Sequence, residues 1–149
     1  MDCLFDHEKL TVYQRSIEFV AAADTILESI PKSASVQNQL ERASTSIPLN
    51  IAEGNGKWTP KDRCKYFDSA RGSALECAAA LDISVAKGNL EAGDAFRRKK
   101  VLVEIVRMLI GLIKVNDTER EFGILREDEV EYQIGLVKND LEESGGEQE

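Results

Sequence analysis

The middle of the chain reads Gln39-Leu40-Glu41-Arg42-Ala43-Ser44-Thr45-Ser46-Ile47-Pro48-Leu49-Asn50-Ile51-Ala52-Glu53-Gly54, and the fold prediction rests on it. Apolar residues recur here at steps of three and four, which is the spacing of one buried helix face: Val36, Leu40, Ala43 and Ile47. Pro48 removes one backbone hydrogen bond, so we expect the helix to bend near Ser44. Gly54-Asn55-Gly56 ends this helix.

Three further helices are predicted on either side. The first runs from about Glu8 to Ser29, and its apolar stripe consists of Leu10, Tyr13, Ile17, Val20 and Leu27. Thr59 followed by Pro60 is typical of a helix start, and that third helix runs to about Lys87. Its stripe is Phe67, Ala70, Ala74, Cys77 and Leu81. The fourth helix begins near Leu90, with the stripe Val101, Ile105, Met108, Leu112 and Val115.

Four helices joined by short turns predict an all-α fold, an antiparallel up-down four-helix bundle formed by residues 1–115. No segment alternates polar and apolar residues as a strand does. Residues 116–149 form an acidic C-terminal extension with a net charge of −9, whereas residues 1–115 carry +1. In this extension we expect one short amphipathic helix, followed by disorder from Ser144 onward. The helix would bury Val130, Ile134, Val137 and Leu141.

The composition of the chain excludes several classes of protein. The chain has 149 residues, 42% of them hydrophobic, which fits one domain with its own core. The longest uncharged run, residues 43–52, is too short to cross a membrane, and residues 1–9 lack the basic and apolar stretch of a signal peptide. We therefore expect a cytoplasmic protein. His7 is the single histidine, and Cys3, Cys64 and Cys77 form no CxxC pair, so no disulfide, metal site, cofactor or catalytic group is predicted.

Two groups of basic residues are candidates for contacts with RNA or DNA phosphates. They are Lys57, Lys61, Arg63, Lys65 and Arg71 around the start of the third helix, and Arg97, Arg98, Lys99 and Lys100 in the fourth. Trp58 and Tyr66 lie in the first group and could stack on unpaired bases. The alternative is an ordinary solvated helix surface, with Trp58 packed on the bundle end or on another subunit.

The run from Gln39 to Gly54 resembles the motif of the 23S rRNA intervening-sequence protein family, also called the four-helix-bundle protein family. Leu10-Thr11-Val12-Tyr13-Gln14, Ala70-Arg71-Gly72-Ser73 with Glu76, and Met108-Leu109-Ile110-Gly111-Leu112-Ile113 support the resemblance, which covers residues 8–115. The matching positions with an expected structural role are Ile47, Pro48, Asn50, Glu53, Gly54, Gly72, Ser73 and Glu76. We expect the carboxylates of Glu53 and Glu76 to be partly buried and bonded to backbone or arginine groups.

The resemblance implies an antiparallel four-helix bundle that assembles as a ring-like homo-oligomer, typically a pentamer, without established enzymatic activity. A related branch, the accessory variability proteins of diversity-generating retroelements, binds a reverse transcriptase and nucleic acid through a basic surface. Our leading hypothesis is accordingly a non-enzymatic adaptor that binds RNA, DNA or a nucleic-acid enzyme such as a reverse transcriptase. The alternative is an oligomeric scaffold for protein partners only, whose acidic extension shields the basic surface or recruits a basic partner.

Overall fold

The computed structural model describes residues 2–120, which contain four long helices and no strand. A short 3-10 helix, Asp6–Lys9, precedes α1 (Thr11–Ser29), α2 (Ser35–Asn55), α3 (Pro60–Ala86) and α4 (Ala92–Asn116). The predicted all-α fold is therefore confirmed. The helix and the disorder predicted beyond Asn116 lie outside the described residues. No helix in the described part is long and apolar enough to span a membrane.

Contacts between side chains show that neighbouring helices run in opposite directions. Arg42 on α2 meets Glu76 on α3, and Ser46 meets Ser73, so residue numbers rise along one helix as they fall along the other. Lys99 on α4 likewise pairs with Asp82 near the end of α3, whereas the Cys64 thiol near its start lies 3.8 Å from the Ile113 carbonyl oxygen. Arg15 on α1 reaches Glu104 on α4 at 2.7 Å and closes the bundle.

The predicted apolar stripes of α2 and α3 are confirmed, because every member of both stripes is buried. The predicted stripes of α1 and α4 are wrong, because a different face of each helix is buried. Ile17 and Val115 are 46% and 78% exposed, and only Ile105 of the ten predicted residues is buried. Both helices carry apolar residues around much of their circumference, so the sequence allows more than one stripe. The buried stripes are Val12, Ser16, Phe19, Ala23 and Ile26 on α1, and Ala95, Leu102, Ile105, Leu109, Ile110 and Ile113 on α4.

Helix α2 continues as a helix through Pro48 and approaches α3 very closely at Gly54. A Cβ atom placed on Gly54 would lie 2.8 Å from the Tyr66 Cβ and 3.2 Å from the Arg63 carbonyl oxygen. Gly72, on the outer face of α3, has no such neighbour within 4 Å. Only the first of these two helical glycines is therefore required by packing within the chain.

Two further predictions from the sequence concern a helix end and the thiols. The Thr59 hydroxyl oxygen accepts a hydrogen bond from the Asp62 backbone N–H at 3.2 Å, which confirms Thr59 as the N-cap of α3. Cys64 and Cys77 are buried and Cys3 is exposed. Burial raises the pKa of the Cys77 thiol to about 12, with a smaller contribution from the Glu76 charge. That thiol therefore stays protonated at neutral pH.

We predict that Gly54→Ala lowers the free energy of unfolding by about 1–3 kcal/mol, because the added methyl group forces α2 and α3 apart. The matched variant Gly72→Ala should raise it by about 0.5–1 kcal/mol, since alanine restricts the unfolded chain and favours the helix. Urea unfolding at one fixed protein concentration measures both. Equal stability of the two variants would contradict a packing role for Gly54.

Candidate nucleic-acid interface

The structure places the nine candidate basic residues on two separate surfaces. Lys61 lies at the start of α3, whereas Lys99 pairs with Asp82 near the end of the same helix. Twenty-one residues separate Lys61 from Asp82 along α3, which is about 30 Å at 1.5 Å per residue. Lys61 and the Lys99–Asp82 pair are therefore far apart along the bundle, and Arg71 lies between them on α3.

Most of the basic side chains in the group on α4 contact an acidic or aromatic neighbour. Arg97 pairs with Asp94 one turn earlier, and the Lys99 Nζ lies 2.8 Å from Asp82 Oδ1. The Lys100 Nζ lies 4.9 Å from the centre of the Phe96 ring. Arg98 is half-buried. Pairing of this kind lowers the charge that a phosphate would meet, so this group is the weaker candidate.

In the group around the start of α3, some basic side chains contact other residues of the protein or are half-buried, and the others are exposed. Arg63 donates a hydrogen bond to Asn55 Oδ1 at 3.2 Å and so links α3 to the end of α2, and Arg71 is half-buried. The Lys57 Nζ lies 3.8 Å from Glu53 Oε1. Lys61 and Lys65 are exposed, and neither has an ion-pair partner among residues 2–120. These two lysines are the cations most available to a ligand.

Trp58, beside these lysines, is 98% exposed. It does not pack on the end of the bundle, which the sequence left as one alternative. The backbone holds the loop on both sides of it, since Lys57 N–H donates to the Gly54 carbonyl oxygen at 3.2 Å and Thr59 caps α3. We call the surface formed by Lys57, Trp58, Lys61 and Lys65 the loop surface.

Tyr66, the other aromatic residue expected to stack on bases, contacts a lysine of the loop surface. The Lys57 Nζ lies 5.0 Å from the centre of the Tyr66 ring, within the range of a cation–π interaction. One face of the phenol is therefore covered by the protein's own lysine. Tyr66 orients Lys57, and Trp58 is the aromatic ring of this region that is open to a ligand.

The motif residues join α2 to α3. Ile47 and Pro48 are buried, and the Asn50 side-chain amide donates to both the carbonyl and the hydroxyl oxygen of Ser46, at 2.8 and 2.9 Å. The Ser73 hydroxyl donates to the same Ser46 hydroxyl at 2.9 Å. Asn50 thus holds Ser46 in position for the hydrogen bond that crosses to α3. Ser46 has this role because the two helices bring its hydroxyl opposite the hydroxyl of Ser73. The spacing of residues along the sequence does not indicate which hydroxyls will face each other.

The two motif carboxylates differ in their surroundings. Glu76 Oε1 accepts a hydrogen bond from Arg42 Nη2 at 2.7 Å, and its side chain is 37% exposed, in line with the expected arginine partner. The prediction for Glu53 is wrong. Its side chain is 55% exposed and, within residues 2–120, forms an ion pair with Lys57 alone, because its position on α2 lies outside the interface with α3. Among residues 2–120, no group of three or more His, Cys, Asp or Glu side chains is arranged to hold a metal ion.

Comparison with other proteins supports the fold and identifies the family. No curated protein matches the chain. A solved structure from Bacteroides thetaiotaomicron, described as a protein with unknown function from the S23 ribosomal protein family, is 22% identical. Its TM-score is 0.66, and the match covers 70% of this chain and 99% of that one. The pattern of the 23S rRNA-intervening sequence protein family matches residues 8–111. The chain therefore belongs to the 23S rRNA-intervening sequence protein family.

Proposed function

We propose that this protein is a non-enzymatic, homo-oligomeric helical-bundle adaptor that binds nucleic acid through the loop surface. The observation that carries the proposal is the exposure of Lys61 and Lys65, which have no ion-pair partner among residues 2–120, beside an almost fully exposed Trp58. Lysine side chains bind phosphates as point charges, and an unpaired lysine loses no existing ion pair when it does so.

The chemistry of the side chains supports an adaptor rather than an enzyme. The chain has one histidine, His7, whose ring contacts Phe5 and Tyr13 in the exposed N-terminal segment. The Cys77 thiol is buried, and its pKa is raised to about 12, so it supplies no thiolate nucleophile at neutral pH. A general acid or base needs a positioned partner, and the motif carboxylates Glu53 and Glu76 are instead engaged in ion pairs.

Exposed apolar side chains on α2 and α3 support self-association. Leu49 is 64% exposed, Leu75 42% and Ile83 40%, and all three lie on helices whose other faces already fill the core. Exposed large apolar side chains mark surfaces on which a second subunit can pack. The subunit number that the family resemblance implies is five.

We predict that Lys61→Gln with Lys65→Gln weakens RNA binding at low salt and makes the dependence of log Kd on log salt shallower by about 1.4, because two phosphate contacts are lost from a single strand. The matched variant Arg97→Gln with Lys99→Gln removes the same charge from residues already paired with acids, so its effect should be smaller. Fluorescence anisotropy of labelled RNA across salt concentration measures both. Full-length protein that binds neither RNA nor DNA at low salt would favour the scaffold for protein partners only.

We predict that removal of residues 119–149 tightens nucleic-acid binding several-fold at low salt. These residues contain eleven acidic and three basic side chains, so the truncated chain is neutral instead of −8. The gain should disappear near 1 M salt, where the screening length falls to about 3 Å. Unchanged affinity at low salt would show that the acidic extension does not oppose binding.

We predict that the protein is an oligomer in solution and that Leu49→Gln with Leu75→Gln lowers its mass, because polar side chains weaken an apolar contact. Leu4→Gln is the matched control, since Leu4 is 86% exposed and lies outside the bundle helices. Analytical ultracentrifugation over a range of concentrations gives the mass. A wild-type protein that is monomeric throughout would contradict the oligomeric part of the proposal.

A further inference from the structure

We infer that Trp58 is a base-stacking platform and that the loop surface binds single-stranded nucleic acid in preference to a duplex. This inference rests on the proposed function and narrows it to one class of ligand. Its starting point is the 98% exposure of the chain's one tryptophan. A tryptophan that is almost fully exposed adds little to the stability of the bundle, and both faces of its ring are available to a ligand.

The loop presents the indole on a fixed backbone. Gly56 N–H donates to the Ala52 and Glu53 carbonyl oxygens, at 3.3 and 3.2 Å, which extends the end of α2 up to the residue before Lys57. On the other side, the Thr59 hydroxyl caps α3 and donates to Asp62 Oδ2 at 2.9 Å, while Pro60 fixes the first helical residue. A platform whose backbone is already ordered loses less entropy when a base stacks on it.

Two lysines of the loop surface follow Trp58 along α3. Lys61 and Lys65 are four residues apart on α3, so they lie on one face with an axial separation of about 6 Å. Successive phosphates of an extended single strand can contact two such cations in turn. Lys57 Nζ lies near the Tyr66 ring, and Lys57 and Lys65 line the same open pocket. Four positive charges here, on Lys57, Lys61, Arg63 and Lys65, stand against three negative charges, on Glu53, Asp62 and Asp68, so the local balance is +1.

Base geometry decides between the two forms of nucleic acid. In a duplex, both faces of each internal base are covered by neighbouring bases, and an indole reaches only a terminal pair. In a single strand, unpaired bases offer their faces to aromatic side chains, and this stacking accepts any base. A tryptophan at a loop tip with lysines beside it therefore fits an unpaired segment with little sequence preference.

Trp58 also provides the signal for the test, because it is the chain's single tryptophan. The full-length protein is titrated with a mixed-sequence single-stranded RNA, a single-stranded DNA of the same sequence and length, and a blunt RNA duplex. We expect saturable quenching of Trp58 fluorescence by the single strands and little by the duplex. Trp58→Ala should weaken single-strand binding by about 5- to 150-fold in anisotropy, the effect of losing one stacked base. Trp58→Phe should retain part of the affinity.

The controls distinguish the loss of base stacking from the loss of charge and from a loss of folded structure. Trp58→Ala should leave the salt dependence unchanged, because the lysines remain, whereas Lys61→Gln with Lys65→Gln should reduce the salt dependence and keep the quenching. Thermal unfolding and mass in solution of Trp58→Ala should equal those of the wild type, since the ring makes no contact within the bundle. A change in mass would make Trp58 a subunit contact and overturn the inference.

The remaining outcomes distinguish this inference from the function on which it rests. If the full-length protein binds none of the three probes at low salt, the proposed nucleic-acid function fails and the stacking role fails with it. If it binds the single strands and the duplex equally, or binds single strands with no quenching and no loss in Trp58→Ala, only the stacking inference is overturned. In that case the lysines account for binding by charge alone.

Discussion

The close approach of α2 and α3 at Gly54 is the constraint on which the other contacts of the bundle depend. A Cβ atom there would collide with the Tyr66 Cβ, so only glycine allows the two backbones this distance. The same approach brings Ser46 within hydrogen-bond reach of Ser73, and Arg42 within reach of Glu76. Each of these polar contacts is worth little alone, but together they select one register of α2 against α3.

That register also creates the surface that we connect with function. Because α2 and α3 pack closely to their shared end, the connection between them is short and its backbone groups are used by the two helix ends. The side chain of Trp58, in this short connection, is almost fully exposed to solvent. Lys61 and Lys65 follow on the outer face of the first turns of α3. A tight helix pair thus presents an aromatic ring and two lysines together.

The chain's net charge of −8 hides this distribution, because the acidic residues are concentrated after residue 116. Within the bundle, the basic run Arg97–Lys100 has the highest density of positive charge along the sequence. Two of its four side chains nevertheless form ion pairs, Arg97 with Asp94 on the same helix and Lys99 with Asp82 on α3. Whether a basic side chain can bind a phosphate therefore depends on its neighbours in space. Lys61 and Lys65 are the better candidates, although basic residues are less dense in their part of the sequence.

The sequence by itself determined the four helices, the buried stripes of α2 and α3, the N-cap at Thr59 and the family motif, because these depend on local spacing and on residues with restricted backbone conformations. It did not determine the buried faces of α1 and α4, since both helices are apolar around much of their circumference. Only the tertiary structure separated the two basic groups by about 30 Å, exposed Trp58 and covered one face of Tyr66 with Lys57. These features depend on which helix ends meet, and residues distant in the sequence decide that.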